Sequence, residues 1–270
     1  MNRTLRSQKQ TIPVALTIAG SDSGGGAGIQ ADLKTFAAVG VHGASVITCV
    51  TAQNPKRILS VQPCEAAMVA QQLAAVFEEL PPQAVKTGML YSAEIVWAVV
   101  EFFGGRKKRP PLVVDPVLVA TSGSRLLERD AQGVVQRELL PMAALVTPNV
   151  QEAQSLTGWP IREPEDMRRA AQFIWKRFGC AALVKGGHLE GVRQAIDVFY
   201  DGRNELLLGA PFIKGRPLHG AGCTYSAAIA GYLALGCPLA EAVRRGKMLI
   251  TQAIARSARV AGHWVLKPGK

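Results

Sequence analysis

The sequence has no apolar run near the roughly 18 residues that a membrane-spanning helix needs, so a helical membrane protein is excluded as a reading. Its opening, MNRTLRSQKQTIP, is basic and polar with no apolar centre. A disordered basic tail over 1–12 is therefore expected, not a secretory signal. Cysteine is sparse and unpaired in pattern: Cys49, Cys64, Cys180, Cys223 and Cys237 are five, widely spaced, with no C-x-x-C. That argues against a disulfide framework or a zinc finger and for free thiols in a reducing, cytoplasmic setting. The four histidines, His42, His188, His219 and His263, show no metal-ligand spacing. Aromatic residues make up only 6%, and none interleaves with the basic cluster RKKR at 106–109. The net charge of +11 and pI near 9.7 therefore point less to nucleic acid than to an attraction for small anions. No repeat, low-complexity linker or domain break is visible, which predicts one domain over 13–270.

What is present is alternation. Short β-branched runs at 14–20, 44–52, 84–89, 112–117, 144–149 and 182–187 read as strands. Between them, 27–39, 65–79, 92–103, 129–139, 150–157 and 165–178 carry helical patterns, and helices at 222–235 and about 239–257 are expected to close the chain. Nearly all-apolar strands alternating with helices predict an α/β fold, a mostly parallel central sheet covered on both faces. The stretch 195–210, with Asp201-Gly202 at its centre, predicts an antiparallel hairpin at one edge. In such a sheet ligands bind beyond the carboxyl ends of the strands. Those ends are polar or glycine-rich here: GSDSGGGAG, TAQN, TGM, DPV, TPNVQE and KGGH.

Four motifs have a structural and a functional reading each. GSDSGGGAGIQADLKTF (20–36) is a glycine-rich turn opening a helix; it fits neither a P-loop nor G-x-G-x-x-G. Its N–H groups could cradle an anion, or the turn is only a turn, with Asp32 a solvated carboxylate one helical turn further on. In TPNVQEAQSL (147–156), Asn149 and Glu152 have the spacing of a capping box. Alternatively, Glu152 joins Asp115 near a hydrated Mg²⁺. Lys185, in KGGH, is a solvated turn lysine or a phosphate contact. In HGAGCTYSAAIA (219–230), Gly220 and Gly222 free the backbone at a helix start, so its N–H groups form an anion hole. The helix N-terminus is expected to lower the pKa of Cys223, making it a thiolate or general base; the bland reading is a small buried hydrophobe.

Taken in order, LTIAGSDSGGGAGIQADLKTFAAVGVHGASVIT, TAQN, VVDPV, TPN, KGGH and HGAGCTYSAAIA resemble the hydroxymethylpyrimidine/phosphomethylpyrimidine kinases, members of the ribokinase-like kinases, over nearly the whole chain. The resemblance implies a cytoplasmic homodimer using ATP and Mg²⁺ to phosphorylate 4-amino-5-hydroxymethyl-2-methylpyrimidine and then its monophosphate, without nucleic-acid or membrane partners. It assigns Gly20, Asp32, Gln53, Met89 and Val117 to the pyrimidine pocket, with the Gln53 amide reading the ring edge. It assigns Asp115 and Glu152 to the metal and phosphate region. Lys185 and Asn149 fall to the phosphate side, and Gly220, Ala221, Gly222 and Cys223 to the anion hole. Many ribokinase relatives carry an aspartate base in place of Cys223; cysteine is typical of the pyrimidine kinases and of a related group of pyridoxal kinases. Three positions depart from the usual pattern: Ala221 stands for threonine, Leu118 for methionine and Thr121 for lysine. Two alternatives stay open, a pyridoxal kinase and a non-catalytic pyrimidine-binding protein.

Overall fold

A computed structural model describes residues 11–118, 126–187, 189, 194–213 and 218–269. Most of the expected tail, together with Thr121 and His188, lies outside the described residues. The chain runs β1 (Val14–Asp22), α1 (Gly28–Val39), β2 (His42–Gln53), β3 (Ile58–Pro63), α2 (Ala66–Glu79), β4 (Ala84–Thr87) and α3 (Ala93–Gly104). It continues through β5 (Leu112–Val114), α4 (Arg129–Val134), β6 (Leu145–Val146), α5 (Val150–Thr157), α6 (Pro164–Phe178) and β7 (Ala181–Lys185). It ends with β8 (Gln194–Tyr200), β9 (Glu205–Pro211), α7 (Ala221–Ala234), α8 (Leu239–Ala255), β10 (Ala258–Val260) and β11 (His263–Val265).

The main sheet has the order β3-β2-β1-β4-β5-β6-β7-β8-β9. From β2 to β7 every pairing is parallel, while β3 pairs antiparallel with β2, and β8 and β9 extend the other edge antiparallel. The α/β class and the 195–210 hairpin were legible in the sequence. A second antiparallel edge, β3, was not: ILSVQP alternates without a full apolar run, and its residues lie half-buried or exposed. Three further details differ from expectation. The 129–139 helix is α only to Val134, then widens into a π turn (Val135–Leu139) before a 3₁₀ turn at Leu140-Pro141. The chain closes on the small β10–β11 hairpin, not on a helix. Arg106, expected in a solvated loop, instead stacks on Phe77 and Phe102 with its guanidinium about 4 Å from each ring.

The apolar strands are explained by burial on both faces. Side chains alternate along each strand: Leu16, Ile18, Val85, Leu112, Val114, Val146 and Val184 join the core under α2–α6, with Phe103 and Met167. Ala15, Ala84, Val113, Leu145 and Leu183 face the second core with Phe36, Tyr225, Ile229 and Val243 of α1, α7 and α8. No helix among the described residues is long and apolar enough to cross a membrane. The strand order reverses between β1 and β4, the kind of switch point at which open α/β sheets bind ligands.

Candidate active site

The same alternation places the chemistry. On the α7 side, Thr17, Lys86, Thr147 and Lys185 continue the strand faces of Ala15, Ala84, Leu145 and Leu183, and Asp115 continues that of Val113. A polar row thus runs along the carboxyl ends of the strands, beneath the first turn of α7. Lys185 Nζ lies 2.8 Å from Asp115 Oδ1, which also accepts from Thr147 Oγ1 at 3.1 Å. Ser226 Oγ, one turn into α7, is 3.2 Å from Asp115 Oδ2. Burial opposes ionisation of Asp115, but Lys185 and Lys86 outweigh it and hold the carboxyl below its ordinary value. Lys185 is neither solvated nor free: burial works against its charge, and Asp115 and then Glu152 hold it cationic.

Above the row sits the anion hole. Gly220 caps α7 in the left-handed region (φ 80°) with no side-chain cap on the helix. A Cβ there would run into the Gly26 carbonyl, so the glycine-rich loop and the helix start touch backbone to backbone. A Cβ at Gly222 would come within 3.2 Å of Lys185 Nζ. The open amides of α7 therefore face a lysine, an arrangement with the chemistry to receive an anion.

The glycine-rich loop does not supply a second one. Asp22 takes its amides: Gly24 N–H at 2.8 Å, Gly26 at 3.0 Å and Ala27 at 2.8 Å. Of the two readings that the sequence left open, an anion cradle and a plain turn, this favours the turn. His219 Nε2 lies 3.4 Å from Asp22 Oδ2 and 2.9 Å from Gln53 Nε2, which ties the loop and Gln53 to the anion hole. Gln53 is partly exposed, as a residue that reads a ligand edge must be. Gly20 and Met89 are neighbours: a Cβ on Gly20 would lie 2.6 Å from Cys49 Sγ and 3.5 Å from Met89 Sδ. Val117 holds φ 44°, a strained conformation for a β-branched residue at the rim of the site. Asp32 is not solvated. It is completely buried under α1, bonded to Thr17 Oγ1 at 2.6 Å and Lys86 Nζ at 2.8 Å, and so lies beneath the cleft floor.

Asn149 and Glu152 form the capping box in full: Glu152 N–H donates to Asn149 Oδ1 and Asn149 N–H to Glu152 Oε2, each at 2.9 Å. Glu152 does more than cap, since Oε1 accepts the Leu118 N–H at 3.3 Å and joins the loop after β5 to α5. Burial raises the Glu152 carboxyl above its usual value, Lys185 pulls it down and Asp115 pushes it up, which places it in the same electrostatic cluster. Asn149 bridges to Lys185 in the backbone. A cavity of about 120 Å³ opens here, lined by Leu118, Asn149, Glu152 and Ser155.

Cys223 corrects the expectation of a lowered pKa. Burial raises the thiol to about 11; Lys86 pulls down, Asp32 and Asp115 push up, and the Gly28 N–H pulls down. Loss of hydration is the largest influence on it, so the resting group is a thiol. Sequence reasoning missed Asp22, His219, Lys86 and Thr147. Two left a signal: an aspartate opening SDSGGG marks a turn that bonds its own backbone, and a lysine inside the apolar strand AVKTGM is a buried charge needing a partner.

A family model for phosphomethylpyrimidine kinase matches residues 22–267. The hydroxymethylpyrimidine/phosphomethylpyrimidine kinase of Rhizobium meliloti is 50% identical over 248 residues, covering 92% of both chains. The crystal structure of phosphomethylpyrimidine kinase from Clostridium difficile superposes with a TM-score of 0.79 at 44% identity, covering 90% of this chain and 99% of that one. An ADP complex of Bacillus subtilis pyridoxal kinase superposes with a TM-score of 0.87 at 35% identity, covering 95% and 97%.

The Asp22 loop generates a stability test. Asp22→Ala strands three amide donors and should destabilise by about 1–3 kcal/mol near neutral pH. Burial raises the Asp22 carboxyl, but His219 and the loop amides overcome it and hold it at about 2. Its contribution is therefore complete above the roughly 3.9 of an unfolded aspartate and is lost as pH falls through about 2. Urea unfolding should show the two proteins differing near pH 7 and converging near pH 2; a gap independent of pH would mean that the carboxylate does not hold the loop.

Proposed function

The chain belongs to the phosphomethylpyrimidine kinase family, and on that premise we propose that it transfers the γ-phosphoryl group of ATP to the hydroxymethyl group of 4-amino-5-hydroxymethyl-2-methylpyrimidine, and then phosphorylates the monophosphate, in thiamine biosynthesis. The observation that carries this reading is the α7 start, where open amides, Lys185 and Cys223 converge above buried Asp115. Phosphoryl transfer needs little from the protein beyond positioning and charge neutralisation, and this site offers both. The amides of Gly222 and Cys223 and the Lys185 ammonium hold the transferring group. Gln53 reads the pyrimidine edge, and Gly20, Met89 and Val117 bound the ring; Asp32 supports that pocket from below. Nucleotide binding is supported by the ADP complex of the Bacillus subtilis relative.

Mg²⁺ fits the donor set. Asp115 and Glu152 are two hard carboxylates in one electrostatic cluster with Lys185, Asp115 paired with the lysine and Glu152 acting on it through its charge. Among the described residues no group of three or more metal-ligating side chains gathers, so a metal here relies on these two plus nucleotide phosphates and water. When bound it supplies charge neutralisation on the phosphates. A homodimer belongs to the same reading; Val50 and Leu59 on the β2–β3 edge, 51% and 61% exposed, offer an apolar surface for it.

A pyridoxal kinase is the second reading, because the backbone superposes on that enzyme with a TM-score of 0.87 against 0.79 for the pyrimidine kinase. Identity runs the other way, 44% against 35%, and favours the pyrimidine. Incubation with ATP, Mg²⁺ and each alcohol should give a higher kcat/KM on the pyrimidine and a diphosphate product; preference for pyridoxal would reverse the assignment.

Cys223 is the proposed acceptor of the hydroxyl proton. A base works only when deprotonated, and a thiol at about 11 gains thiolate throughout the neutral range. The rate should therefore rise with pH from about 6 to about 9. Cys223→Ala should lose about 10²–10⁴-fold in kcat, and Cys223→Asp should recover part of it with a flatter pH profile. Near-wild-type kcat in Cys223→Ala would leave the amides and cations to carry the reaction alone.

Glu152→Gln keeps one acceptor for the Asn149 N–H but turns its amide NH₂ toward the Leu118 N–H that Oε1 accepts, so it should lose about 1–3 kcal/mol of stability. Assayed well below its melting temperature, it should also lose activity and require more Mg²⁺. Unchanged Mg²⁺ dependence would make Glu152 purely a cap.

A further inference from the structure

His219 stands one residue before the anion hole, and its Nε2 faces two groups at once: Asp22 Oδ2 at 3.4 Å and the Gln53 amide, whose Nε2 is placed 2.9 Å away. The ring packs against the glycine-rich loop, since a Cβ on Gly26 would lie 3.1 Å from its Cδ2. Gln53 is anchored to the same loop: Ser23 Oγ accepts the Gln53 N–H at 2.8 Å and donates to the Gln53 carbonyl at 2.7 Å. The other end of the Gln53 amide lies 3.2 Å from Thr51 Oγ1, which is also 2.9 Å from the Ser21 carbonyl.

Counting protons decides which way this chain of contacts runs. The Asp22 carboxylate and the Ser21 carbonyl can only accept. The Thr51 hydroxyl has one proton, and the Ser21 carbonyl is its nearer acceptor. Thr51 therefore accepts from Gln53, which puts the amide NH₂ on the Thr51 side and Oε1 on the His219 side. His219 Nε2 then carries a proton, shared between Gln53 Oε1 and Asp22 Oδ2, and every group has a partner. With the NH₂ toward His219, Nε2 would have to be bare. Its lone pair would face the Asp22 carboxylate, and two carbonyl oxygens would compete for one Thr51 proton. The two ends of an amide have nearly the same outline, so hydrogen bonding assigns them.

We propose that His219 is a positioning residue for substrate orientation: its Nε2–H fixes the Gln53 amide with Oε1 on the α7 side, and so sets which way round the pyrimidine binds. This rests on Gln53 reading the pyrimidine edge. A 4-aminopyrimidine offers a ring nitrogen that accepts beside an amine that donates, and the second N–H and second lone pair of the amide match them. With Oε1 toward His219, the amine lies on the His219 side and the ring nitrogen on the Thr51 side. The hydroxymethyl group, on the carbon next to the one bearing the amine, is then directed toward Gly220 and Cys223, which follow His219 in the chain. With the amide reversed, the same two hydrogen bonds would turn the hydroxyl away from the anion hole.

The ring proton is read without substrate. Long-range ¹H–¹⁵N spectra of the ligand-free enzyme, with the His219 signals assigned by their absence from His219→Gln and the ring titrated to its neutral form, should show the proton on Nε2; a proton on Nδ1 overturns the proposal. Orientation is read by calorimetry with two probes, the pyrimidine and its analogue lacking the 4-amino group. His219→Leu should weaken the pyrimidine about tenfold, the cost of roughly one hydrogen bond, and the analogue by less than about threefold, because the analogue has no amine for Oε1 to accept. His219→Gln, whose NH₂ replaces the Nε2–H, should bind the pyrimidine within about threefold of wild type. Equal losses on the two probes would make His219 a structural tie between the loop and α7, and a Gln variant as weak as the Leu variant would deny the hydrogen bond its role; either overturns the proposal. Should His219→Leu fail to fold, the ring spectrum decides alone. A wild-type enzyme that binds neither probe would remove the pyrimidine assignment and the substrate orientation with it, while a proton on Nε2 would still establish the amide frame.

Discussion

The Lys185–Asp115 ion pair under the first turn of α7 is the contact on which the site depends. It brings the end of β7 against the end of β5 and places a cation below amides that have no helical partner. Asp115 is buried and Lys185 nearly so, and Thr147 and Ser226 complete the hydrogen bonding of the carboxylate. An ion pair buried this deeply contributes little to stability by itself. Under the proposed function, what it provides is a preorganised field at the spot where the phosphoryl group would pass.

A second constraint shapes the other wall. The glycine-rich loop after β1 is closed by its own aspartate, so its amides are committed before any ligand arrives. Fixed in this way, it packs its Gly26 carbonyl against Gly220 at the start of α7. The loop therefore serves the anion hole by holding its shape. His219 joins it to Gln53, so the residues proposed for the pyrimidine side and for the phosphoryl side share one hydrogen-bonded frame.

The polar row on the α7 face and the proposed ring contacts differ in what holds them. Thr17, Lys86, Asp115, Thr147 and Lys185 lie on the strands or directly continue them, so the pleat fixes their direction. The residues proposed to contact the ring sit further out: Gln53 is the last residue of β2, Met89 follows β4 and strained Val117 follows β5.

The sequence by itself determined most of the element order, the parallel core of the sheet, the glycine-opened start of α7 and the capping box at Asn149, because each is written locally: an apolar period, two glycines at a helix start, an acceptor three residues before a glutamate. The motif resemblance carried Gln53, Asp115, Lys185 and Cys223 into one cleft. The sequence did not reveal β3, whose half-exposed strand carries too weak a period, nor that the amides of the glycine-rich loop were already taken. Only the tertiary structure decided the electrostatics. Asp32 reads as a surface carboxylate until α1 packs on the sheet and water is excluded, and Lys86 reads as an oddity in a strand until Asp32 arrives from 54 residues away. The state of the Cys223 thiol was beyond sequence for the same reason: a helix terminus is visible in one dimension, but desolvation, the largest influence on the thiol, depends on everything that folds around it.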